Sequence, residues 1–156
     1  MSDPLDWPLL DVLAGTIVGE ASNQEMIGQI AIGCVIRNRA RIAEAFFKRT
    51  GQPYWWAKVA GIPSTDVWRS VMLKPWQFTC WTDSLRRISN NRARNSVAWE
   101  TAMQIAPQIH DGRTVDVTAG ADHYFADYIS PPAWSRGKQP VMVIGPHRFY
   151  RLVGAS

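Results

Sequence analysis

Between residues 27 and 38 the apolar side chains fall on a broad helical stripe. Ile27, Ile30, Ala31, Cys34 and Val35 recur at three- and four-residue spacing, and Asn38 extends the line. Ile32 and Ile36 widen the apolar face, so this helix is expected to be central, with other elements packed around it. Ser22-Asn23-Gln24-Glu25 fits a capping box at its start, with Glu25 as the reciprocal acid. Arg37, Arg39 and Arg41 are placed near its end, where cations suit the helix dipole. Asn38 on the apolar face has two readings: it satisfies buried backbone groups, or it lines a cleft.

A second stripe precedes this one. Asp6 reads as an N-cap with Pro8 in the first turn, and Leu9, Leu13 and Ile17 then recur at helical spacing up to Glu20. Gly19 beside Glu20 would let a ligand or another backbone come close. A carboxylate on an apolar helix face, at the negative end of the dipole, is expected to have a raised pKa and to be able to donate a proton. Periodicity alone leaves a surface glutamate at a frayed helix end as the other reading of Glu20.

Further along, a short helical piece is expected around Trp55 to Val59, another over Asp66 to Leu73, and a longer helix from about Asn95 to Gly112. After that the pattern changes. Thr114 to Thr118, Val141 to Ile144 and the extended run at Phe149-Tyr150 read as strands. The expected class is therefore α+β, mainly helical, with a small antiparallel sheet toward the C-terminus. At 156 residues this is one domain over residues 1–156.

Composition narrows the chemistry. No apolar run reaches the roughly 20 residues that span a bilayer, so no stable membrane insertion is expected. Two cysteines do not make a disulfide framework. His110, His123 and His147 lack compact ligand spacing, so no metal and no cofactor are expected, although Asp122, His123 and His147 are the set to test against zinc. The net charge of +4 suits a polyanion such as nucleic acid or an anionic cell wall. Arg86, Arg87, Arg92 and Arg94 read as a solvated loop or as a polyanion contact, but no nucleic-acid motif accompanies them. Eight tryptophans is a high count; some must fill the core, but indole faces also stack on sugar rings and bases, and Trp81 and Trp134, in irregular segments, are the cleft-lining candidates.

Five short motifs occur in order: Gly19-Glu20-Ala21, Val35-Ile36-Arg37-Asn38-Arg39, Gln77-Phe78-Thr79-Cys80-Trp81, Ala121-Asp122-His123-Tyr124-Phe125 and Gly145-Pro146-His147-Arg148-Phe149-Tyr150. Together they resemble the catalytic domain of spore-cortex-lytic, SleB-type cell wall hydrolases over roughly Leu9 to Leu152. The resemblance implies a lysozyme-like fold and lytic transglycosylase chemistry on peptidoglycan glycan strands. The family's catalytic glutamate falls on Glu20, and Gln77, His123 and Tyr124 match positions expected to line its cleft. Asn38, Trp81 and Asp122 complete the expected substrate-binding set. The Trp/Tyr-rich segment Gln52 to Trp56 is not part of the family pattern.

A second carboxylate is hard to find: Glu25 is assigned to a cap, Asp83 to a loop, and Asp122 stands as the candidate for a hydrolysing muramidase. A non-catalytic glycan- or nucleic-acid-binding module is the alternative from another class. With no basic-then-apolar leader at Met1 to Asp11, the expectation is a monomeric, phage endolysin-like enzyme. It would be made in the cytoplasm and reach the wall through a separate membrane pore.

Overall fold

The computed structural model describes residues 3–21, 23–81 and 96–153. Asp83 and the arginine run of residues 86–94 lie outside the described residues. A short 3-10 turn, Pro4–Asp6, is capped by the Asp3 side chain, which accepts from Leu5 N at 3.0 Å. Asp6 is thus inside a turn and is not the cap of the first helix. Helix α1 is Leu9–Ala21, and the Pro8 carbonyl accepts from Asp11 and Val12. Val12 through Val18 are buried without a break. No single stripe describes such a helix. It is enclosed by the other helices and shares the centre of the fold with the helix after it, which packs against the remaining helices and the sheet as its wide apolar face led one to expect.

Helix α2, Met26–Thr50, carries the wide apolar stripe, with Ala31, Ile32, Cys34, Val35 and Ile36 buried and Ile27 exposed. Its start corrects the capping-box reading. Glu25 occupies the N-cap itself and its side chain makes no capping bond. Its end is also further on than the arginines suggested. Gly51, at φ 72°, closes the helix by donating its N–H to the Phe47 carbonyl at 2.7 Å. Arg37 and Arg39 therefore lie in mid-helix and are buried, away from the dipole's end.

Helix α3 is Val67–Leu73, and α4 is Val97–His110, capped by Ser96 Oγ accepting from Trp99 N at 3.1 Å. Helices α2 and α4 approach closely at Gly33, where an added Cβ would lie 2.9 Å from Ile109. The core joins Leu13, Ile17, Ile32, Ile36, Met72 and Ile109 to the rings of Trp56, Phe78 and Phe149. Cys34 and Cys80 are both buried free thiols.

The sheet has three antiparallel strands, β1 (His123–Ala126), β2 (Met142–Ile144) and β3 (His147–Tyr150), in the order β1-β3-β2. His123 pairs with Tyr150, and Gly145-Pro146 turns β2 into β3 where Ile144 pairs with His147. The strand expected over Thr114 to Thr118 is absent. Asp116 there accepts from Thr118 N, Thr118 Oγ1, Gly120 N and Asn38 Nδ2, which folds the segment into a turn. No helix among the described residues is long and apolar enough to cross a membrane.

Candidate active site

Helices and sheet meet at a cleft of about 500 Å³, within the size range of small-ligand pockets. Gly19 and Glu20 reach it from the last turn of α1, Arg39 from α2, and Gln77 and Thr79 from the chain after α3. His123 and Tyr124 come from β1, and His147 from β3. A second cavity, of about 560 Å³, lies between Leu9, Phe47, Val67 and Trp68, with Glu44, Lys48 and Asp66. It holds none of the five sequence motifs.

Glu20 is half-buried, and among the described residues lining the cleft it is the only carboxylate. The Tyr124 hydroxyl hydrogen-bonds it. Burial, and then the neighbouring Glu20 charge, push the Tyr124 phenol well above its usual 10. Tyr124 therefore stays protonated and acts as a donor.

Arg39 lies beneath this pair. Its Nε donates to the Asp122 carbonyl at 2.7 Å, and its guanidinium stacks over Trp56 and Phe78 at 5.5 and 5.1 Å. Burial works against the Arg39 charge and lowers its pKa, while Tyr124, Asp122 and Glu20 work to keep it. One of its Nη atoms donates to Gln77 Oε1 at 3.3 Å. Arginine has only donors, so this contact fixes the orientation of the amide. The NH₂ of Gln77 is the group left to offer a ligand.

Asp122 is fully buried and does not line the cleft. Its carboxylate accepts from Leu152 N and Val153 N, each at 2.9 Å, and pairs with His123 Nδ1 at 2.7 Å. It anchors the C-terminal segment and orients His123, whose ring packs edge-on against Trp134 at 5.0 Å. This corrects the expectation of Asp122 as a substrate contact or second carboxylate. It also removes Asp122 from any zinc set with His123 and His147, because its oxygens are already engaged. No group of three His, Cys, Asp or Glu among the described residues could hold a metal ion.

Two further expectations are corrected. Trp81 is a core ring: it lies over the bare backbone of Gly15, meets Trp7 edge-on at 5.7 Å and donates Nε1–H to Thr16 Oγ1 at 3.0 Å. Asn38 takes the first of its two readings, donating to Asp116 Oδ2 and to the Ala121 carbonyl at 2.9 Å each. The cleft thus brings together Glu20, Gln77, His123, Tyr124 and Trp134, and leaves out Asn38, Trp81 and Asp122.

Sequence reasoning missed Arg39, His147, Trp55 and Trp76 as cleft residues. His147 was visible in the sequence as part of its motif and as a member of the zinc set, not as a cleft residue. It is almost wholly buried, and its Nδ1 has no partner among the described residues. Burial lowers its pKa, although the Asp127 charge acts in the other direction.

The sequence profile of the cell wall hydrolase family matches residues 23–150. Glu20 lies just ahead of that span. No curated protein matches the chain. Two solved structures share the fold. The catalytic domain of the germination-specific lytic transglycosylase SleB from Bacillus anthracis is 21% identical, with a TM-score of 0.59 over 96% of this chain and 95% of that one. The catalytic domain of the Bacillus cereus SleB protein is 19% identical, with a TM-score of 0.56 over 90% and 88%. With the profile spanning most of its length, from the chain ahead of α2 to the last strand, the chain belongs to the cell wall hydrolase family.

Proposed function

We propose that the chain is a lytic transglycosylase that cleaves the β-1,4 bond between N-acetylmuramic acid and N-acetylglucosamine in peptidoglycan. The observation that carries this reading is Glu20, the lone carboxylate of the described cleft, held by a tyrosine that stays protonated. Glu20 donates its proton to the glycosidic oxygen as the C–O bond breaks. The oxygen of the substrate's own acetamido group supports the positive anomeric carbon. Glu20, now ionised, takes the proton of the muramic C6 hydroxyl, whose oxygen closes onto the anomeric carbon. Glu20 is thereby reprotonated and the product is a 1,6-anhydro sugar. Tyr124 steadies the carboxyl group in both states, and the Gln77 amide hydrogens bind a substrate oxygen.

The biological setting proposed is phage-type lysis, with the enzyme crossing the inner membrane through a separate pore and acting as a monomer. The net charge of +4 supports attraction to an anionic wall. The binding-module alternative is separated by turbidity. Loss of optical density of outer-membrane-permeabilised cells within minutes requires an enzyme, and a steady reading would overturn this proposal.

A further inference from the structure

Two of the most exposed large side chains in the described structure, Trp76 at 77% and Trp55 at 53%, both line the cleft. With Tyr128 and Ile129, also exposed and on the same cleft, they gather apolar surface in one groove, the kind of patch that marks a binding surface. Trp76 is also strained. Its φ is +69°, in the left-handed region where a bulky residue is a rare outlier, and glycine would sit there freely. The chain keeps a tryptophan where backbone geometry favours glycine, and the ring it gains points to little protein of its own.

Trp55 belongs to the Trp/Tyr-rich segment Gln52 to Trp56. Its neighbours form a rigid base. Trp56 is fully buried and donates Nε1–H to the Arg39 carbonyl at 3.2 Å. Tyr54 meets Phe46 at 5.2 Å and Trp56 at 4.6 Å. Trp55 lies 5.6 Å from Trp56 and is held in place before any ligand arrives. A platform ordered in advance loses little entropy on binding.

We propose that Trp55 and Trp76 are stacking platforms for the apolar C–H faces of hexosamine rings, gripping the glycan strand outside the linkage that Glu20 attacks. Pyranose rings present such faces, and an indole offers a flat apolar partner with a polar edge left in water. The inference rests on the proposed glycan substrate and adds a binding role separate from the chemistry.

The test uses the Glu20→Gln protein, in which cutting is removed, and measures its co-sedimentation with insoluble peptidoglycan sacculi. Trp55→Ala with Trp76→Gly should weaken retention about tenfold or more, the scale of losing stacked rings, and Trp55→Tyr should restore most of its share. Trp76→Gly alone should not lower the melting temperature, since it relieves the left-handed strain, whereas a structural tryptophan would destabilise when removed. In the active protein, Trp76→Gly should raise KM with kcat nearly unchanged. Retention equal to that of the Glu20→Gln parent, in a protein whose wild type lyses cells, would overturn the stacking role and leave the enzyme reading standing. Absence of lysis by the wild type would overturn the enzyme reading, and the retention of the tryptophan variants would still decide the stacking role.

Discussion

The Tyr124 hydroxyl and the Glu20 carboxyl share a hydrogen bond across the junction of helix α1 and strand β1. Because its phenol is held well above the usual value, Tyr124 does not ionise in the working pH range. Tyr124→Phe should therefore fold and lose roughly tenfold or more in kcat by removing one oriented donor. The alkaline limb of its pH–rate profile should coincide with that of the wild type. A limb that vanishes with the hydroxyl would mean that Tyr124 titrates in the reaction.

Glu20→Gln keeps the shape of the side chain but cannot deliver a proton. Activity on purified peptidoglycan should fall by well over about 100-fold, the lower range for acid catalysis, with an unchanged melting temperature. Retention of a tenth of the wild-type rate would move the chemistry to another residue.

Asp122 should behave as a structural residue. Removing its carboxylate leaves two backbone N–H groups and His123 Nδ1 without their acceptor. Asp122→Ala should lower the unfolding free energy by about 3 kcal/mol, read from urea titration. Asp122→Asn, assayed well below its melting temperature, should keep activity within about tenfold of wild type, since it stands outside the transition-state contacts. A stable Asp122→Asn protein with a loss above about 100-fold would return Asp122 to the chemistry.

These assignments show where local sequence stops being informative. The second helix was legible from Ile30-Ala31-Cys34 because one-sided burial imposes the helical period there, whereas in the first the stripe Leu9-Leu13-Ile17 showed a helix but not its unbroken burial from Val12 to Val18. The motifs around Glu20, Gln77 and Tyr124 were legible as motifs, and the structure lines one cleft with them. Arg39 was not legible. Its burial depends on the Asp122 carbonyl, 83 residues away, and the arginines looked like the end of a helix that in fact continues to Thr50. Trp81 looked like a cleft aromatic because its surroundings are irregular. What decides its place is Thr16, 65 residues earlier, with the bare backbone of Gly15 beside it. The turn at Asp116 defeated the strand reading of Thr114 to Thr118 because a side chain took over the backbone's hydrogen bonds.

That turn has a consequence in acid. Burial tends to raise the Asp116 pKa, but hydrogen bonds from Thr118, Asn38 and Gly120 outweigh it, and the net shift is downward from 3.8. A lowered carboxyl pKa adds stability that is complete above the unfolded value and is lost as pH falls through the folded one. The gap in urea midpoint between wild type and Asp116→Asn should thus be widest near neutral pH and shrink below about pH 4. A gap constant down to pH 2 would show that the Asp116 charge contributes nothing.

The products should carry 1,6-anhydro-muramic ends, because the described cleft offers one carboxylate where attack by water needs two. Attack by water needs a second carboxyl group about 5 to 9.5 Å from the acid, the spacing depending on whether configuration is retained or inverted. Among the described residues lining the cleft, Glu20 stands alone. Asp122 is sealed beneath His123, and Glu25 is an exposed helix cap. Intramolecular attack needs only Glu20 in its two protonation states, and the C6 hydroxyl is already held next to the carbon it must reach. Each cut should therefore release a muropeptide one water lighter than a muramidase product, with no end that borohydride reduces. Mass spectrometry of a digest before and after reduction reads both features. Hydrated, reducible fragments would make the enzyme a muramidase. The second carboxylate would then be sought at Asp83, and Asp83→Asn would be the variant to make.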